Sequence, residues 1–401
     1  MNAFFASVEQ AANPALRGKP IVVCGQGRTV VTTASYEARK LGVKTAMNLY
    51  EARRACPEVI LVYGDTNKYV AASHQIHKIL LEYTDLVEVF SIDECFVDVS
   101  RLCKKEGDAK RIALEIKTKI KEKLGLLCSV GIGPNKVVAK IACKMQKPDG
   151  LVEITEENIS KVFENLDLDK LQGVGVGSKI SQKLNSLGIK TAGDLGRAPL
   201  ELLMHHFGII GRYLKNVGLG EDNSPVKKYF EYEQAKSIGH SRTLDINTWD
   251  IAVIKAYIMM LSEKVGARLR ASKMEGSTVN FFVRYGDFTH FSVQHNLKTP
   301  IKNSCDIYSQ ALKLFGNCLP LKKAVRMLGV SISGLCKEST QGHLFAEFGK
   351  KDKAERVFDG INKEYGPFTI KPGSVMIAEK FGIDEGCGMV AKSRRKFPQA
   401  E

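Results

Sequence analysis

Val87-Glu88-Val89-Phe90-Ser91-Ile92-Asp93-Glu94-Cys95-Phe96-Val97-Asp98-Val99-Ser100 alternates with a period of two on both sides of Ser91-Ile92-Asp93-Glu94. Period-two alternation marks half-buried strands, and an interruption this short predicts a tight hairpin. Its tip carries two acids. In a regular strand the side chains of Asp93 and Glu94 face opposite ways, but at a hairpin tip both can converge. Close carboxylates on a rigid platform suit hard divalent ions, since Mg²⁺ takes oxygen ligands and bridges them to substrate phosphates. Two-metal phosphoryl transfer is therefore one reading. Solvated turn chemistry is the other, and it is the commoner fate of an Asp-Glu pair in a hairpin.

Upstream, Ile21 to Thr33 reads as a strand hairpin broken by Gly25 and Gly27, and a helix opens at Ser35 and stops before Gly42. A second helix around Tyr50 to Ala55 ends at Cys56-Pro57, because the residue before proline is pushed out of helical geometry. Downstream come a lysine-rich helix near Lys110 to Leu124, a buried strand Cys128 to Ile132, a Gly133-Pro134 turn and a helix from Asn135 to about Met145, terminated by Lys147-Pro148-Asp149-Gly150. After Gly150 short helices separated by glycines predict a small all-helical domain. From about Lys236 the order is strand, long helix (Asp250 to Ala271), two strands (Val279 to Arg284, Thr289 to Asn296), helix (Cys305 to Phe315) and strand (Val325 to Leu335), a split β-α-β unit. Residues 221–235 read as a linker, and past Gln341 a helical tail leads to the basic end Lys392 to Lys396.

A chain of 401 residues favours two to four modest domains. Its 59 Lys+Arg against 44 Asp+Glu leave a formal charge of +15, a field that favours polyanionic partners. No run of about 18 apolar residues and no basic amphipathic anchor speaks for a membrane. The 10 cysteines form no C-x-x-C pair or Cys/His cluster, so neither a zinc site nor a disulfide framework is indicated, and a reducing, cytoplasmic home is expected. Nothing at the start reads as a signal peptide.

Tyr36 and Arg39 lie at i and i+3 on the helix capped by Ser35 and can present a hydroxyl and a guanidinium together, which suits a triphosphate. A half-buried Tyr beside a surface Arg is the plainer alternative. Lys136, Lys140 and Lys144 share a helix face with Lys147 at the turn beyond, either solvated or set for phosphate. Gly173, Gly175 and Gly177 with Lys179 lack both the preceding strand and the G-x-x-x-x-G-K spacing of a nucleotide loop. Between short helices such glycines let backbone N–H groups approach a DNA phosphate, as in a helix-hairpin-helix, or simply form a tight turn.

Five stretches carry a resemblance: Asn2-Ala3-Phe4-Phe5-Ala6-Ser7-Val8-Glu9, Ser35-Tyr36-Glu37-Ala38-Arg39-Lys40-Leu41-Gly42-Val43, Ser91-Ile92-Asp93-Glu94, Ser129-Val130-Gly131-Ile132-Gly133-Pro134-Asn135-Lys136 and Lys147-Pro148-Asp149-Gly150. In this order they resemble the Y-family, translesion DNA polymerases of the bacterial polymerase IV kind. The resemblance implies an α/β and α+β multidomain right hand. Its parts would be a ferredoxin-like palm (1–8 and 66–154), fingers (9–65), a helix-hairpin-helix thumb (155–220), a linker (221–235), a little finger (236–337) and a C-terminal tail (338–401). It implies low-fidelity, template-directed synthesis past damaged bases, with two Mg²⁺ ions, primer-template DNA and dNTPs, in a monomer.

Carried over by position, Asp93 and Glu94 are catalytic and metal-binding carboxylates, and Met1 offers its backbone carbonyl to a metal. Phe5 is the steric gate beside Phe4, and Tyr36, Arg39 and Lys147 contact the triphosphate. Gly173, Gly175, Gly177 and Lys179 in the thumb, and Lys236, Arg242 and Arg284 in the little finger, hold the DNA backbone. Gln341-Gly342-His343-Leu344-Phe345 resembles the peptides that dock on the sliding clamp, with Gln341, Leu344 and Phe345 as contacts; pinning the tail to the little finger is the alternative. In the family an aspartate directly precedes the equivalent of Met1, so a true start upstream is expected, and a chain without that aspartate is expected to lose orders of magnitude in rate. A non-catalytic, clamp-recruited DNA-binding protein is the rival reading. A nucleotidyl cyclase on a similar palm fails to account for the glycine-rich helical domain and the basic C-terminal domain.

Overall fold

A computed structural model describes residues 1–231, 234–338 and 346–379. Among them the chain divides into two compact units, one holding 1–24 and 30–231, the other 25–29, 234–338 and 346–379.

The first unit opens with α1 (Phe4–Ala12), β1 (Ile21–Cys24), β2 (Val31–Ala34), α2 (Tyr36–Lys40), α3 (Leu49–Ala55) and β3 (Ile60–Tyr63). The expected hairpin is present, with β1 antiparallel to β2 and a register shift at Val23/Cys24. A parallel partner joins it, pairing Ile21 with Ile60 through Cys24 with Tyr63. Each face of β1 meets a different core: Ile21 and Val23 pack with Phe4, Tyr69 and Ile76, while Val22 packs with Val31, Ala38 and Ala52. The caps follow their chemistry. The Ser35 hydroxyl accepts from Ala38 N at the start of α2 and also from Ile21 N, and Asn48 forms a capping box with Glu51 before α3.

α4 (Thr66–Leu81), β4 (Val87–Val89), β5 (Cys95–Val97), α5 (Asp108–Leu124), β6 (Val130–Ile132), α6 (Lys136–Met145) and β7 (Leu151–Glu153) follow. The acidic hairpin forms as its alternation predicts, pairing Val87 with Val97 and Val89 with Cys95. β6 pairs in parallel with β7, and these two ladders are separate two-stranded sheets among the described residues. A single ferredoxin-like sheet is therefore not what the hydrogen bonds draw. Between the ladders run Met1 and Asn2, which contribute one main-chain bond each, from the Met1 ammonium to the Asp93 carbonyl (2.8 Å) and from Asn2 N to Leu127 O (3.1 Å), too few to define a strand.

α6 lies so close on β6 that a Cβ built on Gly131 would come within 2.1 Å of the Ala139 carbonyl oxygen and 2.2 Å of Cys143 N. Backbone cannot yield as a flexible side chain does, so Gly131→Ala is expected to cost roughly 3 kcal/mol. A urea titration of the two proteins reads this as a lower midpoint at unchanged slope.

The helical part comprises α7 (Ile159–Glu164), α8 (Ser178–Ser186), α9 (Ala192–Arg197), α10 (Leu200–Phe207) and α11 (Ile210–Leu219). Its core, with Phe163, Leu171, Leu184, Leu195, Leu203 and Leu214, also takes in Val137, Val138 and Ile141 of α6, so α6 bridges this bundle and the acidic hairpin's neighbourhood.

The second unit has the split β-α-β order predicted: β8 (Ser237–Thr248), α12 (Ile251–Ala271), β9 (Met274–Tyr285), β10 (His290–Ile301), α13 (Ser304–Gly316) and β11 (Val325–Lys337). The sheet order is β10-β9-β11-β8, all antiparallel, with both helices on one face over Phe281, Leu328 and Ile332. α14 (Ala346–Tyr365) and α15 (Val375–Glu379) close the described chain. They belong to this unit: Val375 is buried in its core, and Arg270 of α12 pairs with Glu355 (2.8 Å) and Asp359 (2.6 Å) of α14. Burial pushes the Glu355 carboxyl up to about 7. Among the described residues no helix is long and apolar enough to cross a membrane.

Candidate active site

At the tip of β4–β5 the strand geometry breaks, and both Phe90 N and Ser91 N donate to the Glu94 carbonyl at 3.0 and 3.1 Å. The tight turn brings the neighbouring acids to one side. The Ser91 hydroxyl reaches both, at 3.0 Å from Asp93 Oδ1 and 3.5 Å from Glu94 Oε2. The convergence anticipated for a hairpin tip is thus realised.

Two cations sit against this pair. The Met1 ammonium is 3.9 Å from Asp93 Oδ2, and Lys140 Nζ of α6 is 2.7 Å from Glu94 Oε2. Burial alone would raise the Glu94 carboxyl, but the Lys140 hydrogen bond and charge, aided by the chain terminus and Lys147, leave it below its ordinary value. Lys140 is itself 8 % exposed and also lies over the Phe90 ring, at 4.7 Å. Lys136, a turn earlier, pairs with Glu88 at 3.0 Å. Lys144 is pushed down by burial and by the charge of Lys140. The lysine face of α6 therefore serves the hairpin's carboxylates, a role that spacing alone does not disclose.

Asn2 ties the motifs together. Only 2 % exposed, it donates from Nδ2 to the Tyr36 hydroxyl (3.3 Å) and the Ser129 hydroxyl (3.1 Å), and its Oδ1 accepts from Asp149 N (3.2 Å). Four stretches far apart in sequence meet on one amide. The missed signal was chemical: an asparagine inside an otherwise apolar start must find partners if buried.

Phe4 turns into the core at 4 % exposure, whereas Phe5 is half-buried and stacks on Tyr69, with centroids 4.4 Å apart. Tyr69 in turn donates to Glu9 Oε1 at 2.8 Å, and Lys68 holds Glu9 Oε2 at 2.7 Å. The Phe5 ring thus rests on a braced support. On α2, Arg39 Nε donates to Ala34 O at 2.9 Å and its guanidinium lies 5.0 Å from the Tyr36 ring centre, which leaves its terminal amino groups for a partner. Lys147 is exposed at the turn after α6.

In the helical bundle Gly173 and Gly175 take φ of +89° and +96°, conformations that disfavour any side chain, and a Cβ at Gly175 would meet the Tyr213 ring at 2.6 Å. Gly177 caps α8, and all three glycines and Lys179 are exposed while Val174 and Val176 turn inward. In the second unit Lys236 is exposed just before β8, Arg242 stands on β8 opposite Leu328, and Arg284 stands on β9 with its guanidinium 5.4 Å from the Phe282 ring centre. Gln341, Leu344 and Phe345 lie outside the described residues.

Residues 1–144 match the impB/mucB/samB family, and residues 235–344 match that family's C-terminal domain. DNA polymerase IV of Pelotomaculum thermopropionicum is 38 % identical over 374 residues, 92 % of each chain. DNA polymerase IV 1 of Bacillus subtilis is 36 % identical over 388 residues, 95 % of this chain and 92 % of its own. A solved Y-family DNA polymerase chimera, Dbh-Dpo4(243-245)-Dbh, superposes with a TM-score of 0.76 at 30 % identity, over 84 % of this chain and 98 % of that one. An insertion ternary complex of Dbh DNA polymerase gives 0.56 at 30 % identity, with the same coverage.

The chain belongs to the impB/mucB/samB family, whose solved relatives are Y-family DNA polymerases with this mixed α/β architecture. Its function is that of its polymerase IV relatives, translesion synthesis by a DNA-directed DNA polymerase. Enzymes of this family are metal-dependent.

Proposed function

We propose that Asp93 and Glu94 are the catalytic carboxylates and that they hold two Mg²⁺ ions together with the Met1 carbonyl. The observation that carries this reading is the shared side of the hairpin tip, where the Ser91 hydroxyl reaches both acids and Lys140 pairs with Glu94. The donors fit: they are all oxygen, as Mg²⁺ requires. Bound there, magnesium would neutralise charge on the nucleotide's phosphates.

The protein's own groups do the rest. Lys140 keeps Glu94 ionised and ready to draw a proton from the primer 3′-hydroxyl. The Tyr36 hydroxyl accepts from Asn2 and so retains its own proton for a phosphate oxygen, while the Arg39 fork and Lys147 supply charge to the triphosphate. Phe5, braced on Tyr69, lies beneath the sugar and excludes a 2′-hydroxyl by collision. Phe5→Ala is therefore expected to raise ribonucleotide incorporation at least about tenfold relative to deoxynucleotide. Single-nucleotide insertion with each substrate measures that ratio.

Residues 1–8 and 66–154 act as palm, 9–65 as fingers, 155–220 as thumb and 236–337 as little finger, joined by the linker 221–235. Gly173, Gly175, Gly177 and Lys179 would offer amides and charge to DNA phosphates, and Lys236, Arg242 and Arg284 would do so from the little finger, without reading sequence. The enzyme works as a monomer on primer-template DNA with dNTPs, in the cytoplasm, and the Gln341 to Phe345 peptide docks on a sliding clamp. Primer extension on undamaged and abasic templates, with and without Asp93→Ala, tests the site. Extension that survives the substitution removes it.

A further inference from the structure

A chain of hydrogen bonds runs from the segment after α11 to the acidic hairpin. Tyr229 Oη lies 3.4 Å from His77 Nδ1, His77 Nε2 lies 3.4 Å from Ser73 Oγ, and Ser73 Oγ donates to the Ile92 carbonyl at 2.5 Å. Ile92 directly precedes Asp93. Ser73 and His77 occupy i and i+4 of α4 and are only 3 % and 2 % exposed. Since the Ser73 proton goes to Ile92, its oxygen can only accept from His77, which fixes the proton on Nε2 and leaves Nδ1 to accept from Tyr229. Every donor then points the same way, toward the hairpin.

The outer end is fastened. Tyr229 N donates to Asp85 O (3.1 Å), Lys227 N to Glu88 Oε2 (3.1 Å), Lys136 Nζ to Pro225 O (3.1 Å) and Asn135 Nδ2 to Gly220 O (2.8 Å). The Tyr229 ring meets His77 edge-on, with centroids 5.5 Å apart. Burial lowers the His77 imidazole to about 4, so it stays neutral, as the single-tautomer chain needs.

We propose that Tyr229, His77 and Ser73 are positioning residues that hold the Ile92 carbonyl, and with it the Asp93–Glu94 pair, in register when residues 220–231 are docked. This rests on the assignment of those two acids as the catalytic pair. The Ile92 carbonyl sits where the strand ladder has ended, so the Ser73 hydroxyl supplies the restraint that a ladder bond would otherwise give.

The test compares Tyr229→Phe, Ser73→Ala and the double variant in single-turnover insertion, with magnesium titrated. Each single variant is expected to lose roughly 3–10-fold in maximal rate and to need more magnesium for half-saturation, with primer-template affinity unchanged. The double variant should match the worse single, because one chain of bonds is cut once. Tyr229→Phe keeps the ring and its packing, so it decides the matter if Ser73→Ala folds poorly. Unchanged magnesium dependence in Tyr229→Phe, or losses that multiply in the double variant, overturn the relay. Asp93→Ala run alongside separates the two ideas: full activity there removes the site itself, whereas its loss with an intact Tyr229→Phe removes only the relay.

Discussion

Asp93→Ala is expected to lower primer extension by roughly 10³-fold or more, with little change in DNA affinity. The pair at the hairpin tip is small, and no cluster of three or more His, Cys, Asp or Glu side chains suited to a metal occurs among the described residues. Deleting one of two carboxylates therefore removes half of the side-chain oxygen donors proposed for the ions. DNA is bound mainly through phosphate contacts spread over many cations, so its affinity should be insensitive to one acid. Single-turnover insertion and a filter-binding titration on the same protein measure the two effects separately. A parallel fall in both would point to a damaged fold.

A chain carrying aspartate immediately before Met1 is expected to insert nucleotides about 10²- to 10³-fold faster than one carrying alanine there. The Met1 nitrogen lies 2.8 Å from the Asp93 carbonyl, so a residue attached to it emerges beside the acidic pair. Either extension converts the ammonium to a neutral amide, and only aspartate then adds a carboxylate. The alanine control thus isolates the new ligand from loss of the terminal charge. Asparagine, similar in size but neutral, should behave like alanine. Equal rates for all three extensions would detach this position from the proposed metal site.

Much of this was legible because its signals are local. The hairpin showed through period-two alternation, α2 through the Ser35 cap, α3 through Cys56-Pro57, and the second unit through long amphipathic elements in a recurring order. What stayed hidden depends on partners distant in the chain. β3 pairs with β1 across nearly forty residues, and nothing in Ile60–Tyr63 names its partner. Asn2, Lys140 and His77 draw their roles from residues brought beside them by folding, so their neighbours in sequence say little. The glycine-rich turn was legible as a turn, since only its backbone conformation had to be inferred.

β1 has a further consequence for how the molecule comes apart. Because alternate residues of one four-residue strand belong to different hydrophobic clusters, loosening either cluster strips the strand of half its support. The Phe5 ring and α2 should then melt in one step rather than in turn. In native-state exchange the amides of Ile21, Val22 and Val23 should open together, at a single free energy shared by both sides.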